Sequence, residues 1–190
     1  MKPSLTNRRF ALLCLGLFVG GLTISACQAP ATNPKQLHAR VLRDFRSWGG
    51  LDAEALDRQT ARYQLVHEWH ADGAIVSTSD YLWCAAALVT SDEVSDLKLA
   101  HELALKAAEL GEARGFTVQA EATDKLLVRR GKPQRYGTQY VFETIHQRWK
   151  LFPVDPRTTD VERRSMGIPP LAELMGKVDA MNAEIRENRD

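Results

Sequence analysis

From Phe10 to Ile24 the chain runs for 15 residues without a charge, flanked by Lys2, Arg8 and Arg9 on one side and Cys27 on the other. A basic head before a short apolar stretch is the layout of a secretory leader, which is cut away and takes no part in the fold. The stretch is too short for a comfortable membrane span, because crossing a hydrocarbon core of roughly 30 Å takes about 20 helical residues. This one pattern bounds the size of the folded part. Removing residues 1–26 from a chain of 190 leaves 164, enough for one compact domain and too few for two ordinary ones.

The apolar run closes on Ile24-Ser25-Ala26-Cys27. This quartet resembles the lipobox of bacterial lipoproteins, in which an aliphatic residue and two small residues precede the cysteine that is acylated and becomes the new N-terminus. The resemblance implies that Cys27 carries fatty acyl groups such as palmitate. Residues 27–34, rich in Ala, Pro, Thr and Asn, then form a lipidated tether, and 35–190 form a single domain. Each buried methylene contributes about 0.8 kcal/mol, so two or three chains hold where one does not. Gln28 is unlike the Asp that keeps such lipoproteins at the inner membrane. The resemblance therefore implies the periplasmic face of the outer membrane, with the inner membrane as the alternative. An ordinary leader cleaved between Ala29 and Asn33 stays open as a competing reading.

Composition narrows the partners. The leader takes three of the 25 basic side chains and none of the 24 acidic ones, so the mature balance is near −2 and carries no electrostatic footprint for nucleic acid. Of three cysteines, Cys14 leaves with the leader and Cys27 is spent on lipid, which leaves Cys84 without a partner for an internal disulfide. Its neighbours in Leu82-Trp83-Cys84-Ala85-Ala86-Ala87-Leu88 are apolar, as expected for a small core residue.

Helical spacing dominates the mature chain. Leu37, Val41, Phe45 and Trp48 mark a first helix over 35–48, stopped by Gly49-Gly50, and a second runs from Asp52 to about Asp72-Gly73. Ser79 or Asp80 is expected to cap a third over 81–89, and Ser91 or Ser95 a fourth over 96–110, with Gly111 as its stop. A fifth spans 113–130 and ends at Gly131-Lys132-Pro133. Alanines crowd the fourth and fifth, so the two read as a close antiparallel hairpin that resembles a single tetratricopeptide or Sel1-like unit. Tyr140 to Ile145 and Arg148 to Phe152 read as strands of one small β-hairpin. Thr159-Asp160 caps a short helix, and Pro169-Pro170 opens a last one to about Glu187. The expected class is mainly α: helical hairpins with one small β-hairpin.

The most distinctive string is Gln134-Arg135-Tyr136-Gly137-Thr138-Gln139, preceded by Asp124-Lys125 and followed by Arg163-Arg164-Ser165-Met166-Gly167-Ile168. Together with the alanine-rich hairpin it resembles a family of uncharacterised bacterial lipoprotein domains. Their pattern joins a late Asp-Arg pair, a Gln-x-Tyr/Phe-Gly-Thr-Gln turn and a downstream Arg-Arg-x-x-Gly. The resemblance covers residues 79–182 and bears on fold more than on activity. This chain departs from it at Lys125, where the pattern has Arg, and at Thr90-Ser91, where it has a Gln-His pair.

Two readings of the string stand side by side. In one, Asp124, Arg135, Tyr136, Gly137, Thr138, Gln139 and Arg164 form a polar latch that satisfies backbone groups where helix, turn and strand meet. In the other, His101, Asp124, Arg135 and Gln139 converge on a pocket for a small polar ligand or substrate. His67 and His70 share a helix face, but a third ligand is lacking and the spacing is not that of a zinc protease, so they read as helix surface and no metal is expected. Neither a Gly-rich phosphate loop, nor a Gly-x-Ser-x-Gly elbow, nor paired zinc cysteines occur, and no cofactor is implied. The functional expectation is a membrane-anchored module that binds an envelope protein or supports envelope structure, with Trp48, Trp69 and Trp149 as interface aromatics. The ligand-binding protein or enzyme is the alternative.

Overall fold

The computed structural model describes residues 32–46 and 53–187. Cys27, most of the tether, Trp48 and the leader lie outside the described residues. Among the described residues, seven helices and one two-stranded antiparallel sheet occur in the order α1 Pro34–Arg46, α2 Ala53–Ala71, α3 Thr78–Leu88, α4 Val94–Glu109, α5 Arg114–Arg129, β1 Tyr140–Glu143, β2 Arg148–Leu151, α6 Asp160–Ser165 and α7 Leu171–Glu187. The mainly helical class with a small β-hairpin is thus observed.

Helix ends follow local chemistry. Ser77, and neither Ser79 nor Asp80, caps α3: its hydroxyl accepts the Asp80 amide while the Asp80 carboxylate accepts the Ser77 amide. The helix therefore starts at Thr78, three residues earlier than the sequence suggests. Thr159 and Glu162 form the same reciprocal box at α6, as the Thr159-Asp160 signal foretells. Helix α4 begins at Val94 with no side-chain cap: Glu93 holds the N-cap position, the Ser91 hydroxyl accepts the Glu93 amide ahead of the helix and donates to Asp96, and Ser95 is already helical. At its far end Gly111 sits at φ +95°, where the Glu112 and Gly111 amides reach back to the Ala107 and Ala108 carbonyls and close a Schellman turn.

Helix α4 packs against both α3 and α5, and α1 lies on α3. Small residues set the α4–α5 spacing. A Cβ added at Gly115 would run into the Ala104 carbonyl oxygen and lie 2.7 Å from the Ala108 amide nitrogen, so only glycine admits this approach. The large core forms around Leu37, Val41, Val66, Leu88, Leu103 and Ala104, with Cys84 inside it. A smaller apolar cluster of Ala120, Tyr136, Ile168 and Leu174 joins α5 to the turn, α6 and α7. Helix α5 thus serves two cores with two faces: Ala122 belongs to the first and Ala120 to the second.

The strands pair in the register Tyr140↔Leu151 to Glu143↔Arg148. They are shorter than their β-rich sequence, since Ile145 falls in the connecting turn, where Gln147 adopts φ +51°. Helix α7 packs on β2, and the Asn182 carboxamide accepts the Trp149 amide at 2.7 Å and donates to its carbonyl at 3.0 Å. One side chain thereby stands in for a third strand on the exposed edge. Trp149 is half-buried against Phe142, with ring centroids 5.4 Å apart, and Trp69 packs on the large core. Neither is the exposed interface aromatic expected from the sequence.

Candidate functional site

Asp124 comes late in α5 and is fully buried. Burying an ionisable carboxyl is costly unless its lone pairs are filled, and here the chain's own backbone fills them. Oδ1 accepts the amides of Arg135 (2.6 Å) and Tyr136 (2.9 Å), and Oδ2 accepts those of Gly137 (2.9 Å) and Thr138 (3.0 Å) together with the Thr138 hydroxyl (3.0 Å). Four consecutive amides can aim at one carboxylate only if the chain curls tightly around it. Gly137 allows the curl with φ +95°, and a Cβ there would stand 2.8 Å from Leu174 Cδ1.

Gln134 holds the entrance to the turn. Fully buried, its carboxamide donates to the Gln139 and Phe152 carbonyls at 3.1 and 2.9 Å and accepts the Gln139 amide at 2.8 Å. Its main chain forms an isolated parallel bridge with Val154. Gln139 donates to the Thr138 hydroxyl at 2.9 Å. Arg163 closes the far side: 2% exposed, its guanidinium donates to the Tyr136 carbonyl (3.2 Å), the Thr158 carbonyl (3.0 Å) and Asp160 (2.8 Å). The Leu171 amide, donating to Asp160, together with Arg163 holds that carboxyl below its usual range.

The structure divides the residues singled out from the sequence. Asp124, Tyr136, Gly137, Thr138 and Gln139 do meet. Arg135 contributes its backbone alone, while its side chain turns outward, lies over the Tyr136 ring at 5.3 Å and pairs with Glu162 at 3.1 Å. Arg164 is exposed, and its neighbour Arg163 takes the buried place in the network. Arg129 pairs with Asp92 at 3.6 Å. His101 is elsewhere: its Nε2 lies 3.3 Å from the Gln119 amide nitrogen, and it lines a shallow groove of about 270 Å³ with Lys98, Glu102, Thr123, Leu126, Leu127 and Arg130. Partial burial lowers its pKa, which suits a neutral ring accepting from Gln119. His101, Asp124, Arg135 and Gln139 therefore do not share one pocket.

A second polar cluster, which sequence reasoning missed, lies where α2 faces the α3–α4 corner. The groove there has a volume of about 660 Å³. His67 Nε2 lies 2.7 Å from Asp96 Oδ1, the Ser91 hydroxyl donates to Asp96 Oδ2, and Tyr63 Oη lies 2.9 Å from Thr90 Oγ1. Lys125 donates to the Thr90 carbonyl at 3.1 Å and pairs with Asp92 at 3.3 Å, capping the C-terminal end of α3. Thr90-Ser91 and Lys125, the two departures from the resembled pattern, thus meet at one place. The carboxylate stands between serine and histidine, so the imidazole cannot take the serine proton and no activated nucleophile results. Burial pushes the Cys84 thiol up to about 12, which makes it inert as a nucleophile at neutral pH. Among the described residues no group of three His, Cys, Asp or Glu side chains is placed to hold a metal ion.

Compared with family models, with curated proteins and with solved structures, the chain matches none.

Proposed function

We propose that this chain is an acylated lipoprotein of the bacterial envelope, anchored through Cys27 at the periplasmic face of the outer membrane. In this reading its helical domain serves as a structural or protein-interaction module. The anchor rests on one observation, the sequence Ile24-Ser25-Ala26-Cys27 at the end of an uncharged run behind a basic head. No described helix is long and apolar enough to cross a membrane; attachment in this reading comes from the acyl chains.

The non-catalytic part of the reading is supported by what the polar string does with its atoms. Asp124 and Gln134 spend their lone pairs and N–H groups on the chain's own backbone, as groups that shape a turn do.

The test is fractionation with metabolic labelling by an alkyne analogue of palmitate. Wild-type protein should label and sediment with outer membranes. Cys27→Ser should lose the label and leave the membrane fraction, while Gln28→Asp should keep the label and shift to the inner membrane. Continued sedimentation of Cys27→Ser would overturn the anchor, and an unmoved Gln28→Asp would overturn the outer-membrane placement.

A further inference from the structure

Charge is spread unevenly along the mature chain. Helix α1, Pro34–Arg46, carries Lys35, Arg40, Arg43 and Arg46 against the single acid Asp44, a balance of +3, while residues 47–190 hold 18 basic and 23 acidic side chains, a balance of −5. The basic excess therefore belongs to the helix that follows the Cys27 tether. Leu37 and Val41 are fully buried, and the His38 ring lies against Trp83 of α3 with centroids 4.9 Å apart, so one side of α1 is taken up by the core. Lys35, Ala39 and Arg43, four residues apart along the helix, line the other side and are exposed. Neither of the two cations has an acidic partner among the described residues. The helix itself does not call for them: its first turn holds Lys35 and no acid, the reverse of what the macrodipole favours.

We propose that this face of α1 docks on an anionic phospholipid surface and thereby orients the domain on the membrane that holds it. The inference rests on the reading of Cys27 as an acylated anchor. From Cys27 to Pro34 the chain advances seven residues, at most about 25 Å when fully extended, and none of residues 27–34 is charged. That reach brings Lys35 and Arg43 within a Debye length of the headgroups, about 8 Å at physiological salt, with no acid on the tether to compete. Acyl chains fix the N-terminus but leave the domain free to turn. Anionic headgroups attract the basic stripe and repel the acidic remainder, which selects one orientation. An acidic protein would match the same charges, but it competes with a surface that the tether already keeps at high effective concentration. The other basic cluster, His146, Arg148 and Lys150 on the β-hairpin, is gathered around Glu143 and is less available.

The test uses the full processed protein with Ala39→Cys carrying a thiol-linked fluorophore, Cys27 being blocked by its lipid and Cys84 buried. The protein is reconstituted in phosphatidylcholine vesicles with or without phosphatidylglycerol, both doped with a lipid bearing a nitroxide on its headgroup. The label should be quenched at least about threefold more in the anionic vesicles, and the difference should vanish in about 1 M salt, where the Debye length falls to about 3 Å. A label at Ile145→Cys on the hairpin tip, 91% exposed in the wild type, should show no such difference. Lys35→Glu combined with Arg43→Glu, both at exposed positions, should abolish the difference at Ala39 without lowering the melting temperature. Equal quenching at Ala39 in the two vesicles, a difference that survives the double substitution, or a larger difference at Ile145 would overturn the proposal. Flotation keeps the two failures apart. Protein that floats with both vesicles yet shows equal quenching at Ala39 overturns the docking alone, and protein that floats with neither overturns the docking together with the anchor.

Discussion

Replacing Asp124 tests whether the conspicuous turn is held by its carboxylate. In Asp124→Ala four backbone amides lose their acceptor at once. Those of Arg135 and Thr138 sit where water can reach, but those of Tyr136 and Gly137 are buried. Two orphaned donors at about 1–3 kcal/mol each, with some loss from the rehydrated pair, give a destabilisation of about 3–5 kcal/mol. Asp124→Asn keeps the shape and one acceptor oxygen. Its NH₂ group must then face a backbone donor, so the expected loss is smaller, about 2 kcal/mol. A typical domain is stable by about 5–15 kcal/mol, so either change takes a large share of the total. Urea unfolding followed by circular dichroism reads the effect. With a slope of about 2 kcal/mol per molar, Asp124→Ala should move the midpoint down by about 1.5–2.5 M at unchanged slope. A midpoint shift worth less than about 0.5 kcal/mol in both variants would refute the account, since a carboxylate that serves a ligand instead of the turn can be removed without unfolding anything.

Three further outcomes are expected from the same structure. Gly115→Ala should destabilise by about 1–3 kcal/mol in the same assay, because the new Cβ meets the Ala104 carbonyl and the Ala108 amide; a stabilised variant, as helix propensity alone would give, contradicts the close α4–α5 approach. Arg163→Ala should cost about 2–4 kcal/mol by orphaning buried carbonyls and the Asp160 contact, whereas Arg164→Ala at an exposed position should change stability by less than about 0.5 kcal/mol. Equal effects of the two would show that the α6 phase is wrong. Cys84, fully buried with its thiol pushed up to about 12, should remain unlabelled by a maleimide in the native protein at pH 7 and label on urea denaturation, read by peptide mass mapping. Native labelling would contradict its place in the core.

Much of this architecture is written locally in the sequence. Helix period and terminal glycines locate α2, α4 and α5 to within a few residues, because a Schellman turn needs a residue at positive φ and Gly111 and Gly131 supply it. The Thr159 box is legible for the same reason, as both of its partners lie within one turn. What fails is choice among near neighbours. Ser77, Ser79 and Asp80 are all capping residues, and only the backbone conformation decides that Ser77 takes the role. Arg163 and Arg164 differ by one step of about 100° around α6, and a six-residue helix is too short for its pattern to show which points inward. The composition of Gln134 to Gln139 marks a polar turn, but its centre, Asp124, lies in another element, and so does Arg163. His101 and Asp124 are on one hairpin in sequence yet serve different faces, since α5 is packed on two sides. The burial of Gln59 on α2, 4% exposed, gives no signal at all: a glutamine in a polar helix is ordinary until the structure shows it buried.

The claim on which the assignment of place rests is the chemistry at Cys27, and mass analysis of the N-terminal peptide of protein taken from its native membrane reads it directly. The account predicts that the first residue is Cys27 and carries a diacylglycerol thioether, with a further acyl chain on its amine in a fully processed molecule. A peptide that begins elsewhere, retains residues 1–26, or shows an unmodified thiol at Cys27 would contradict it.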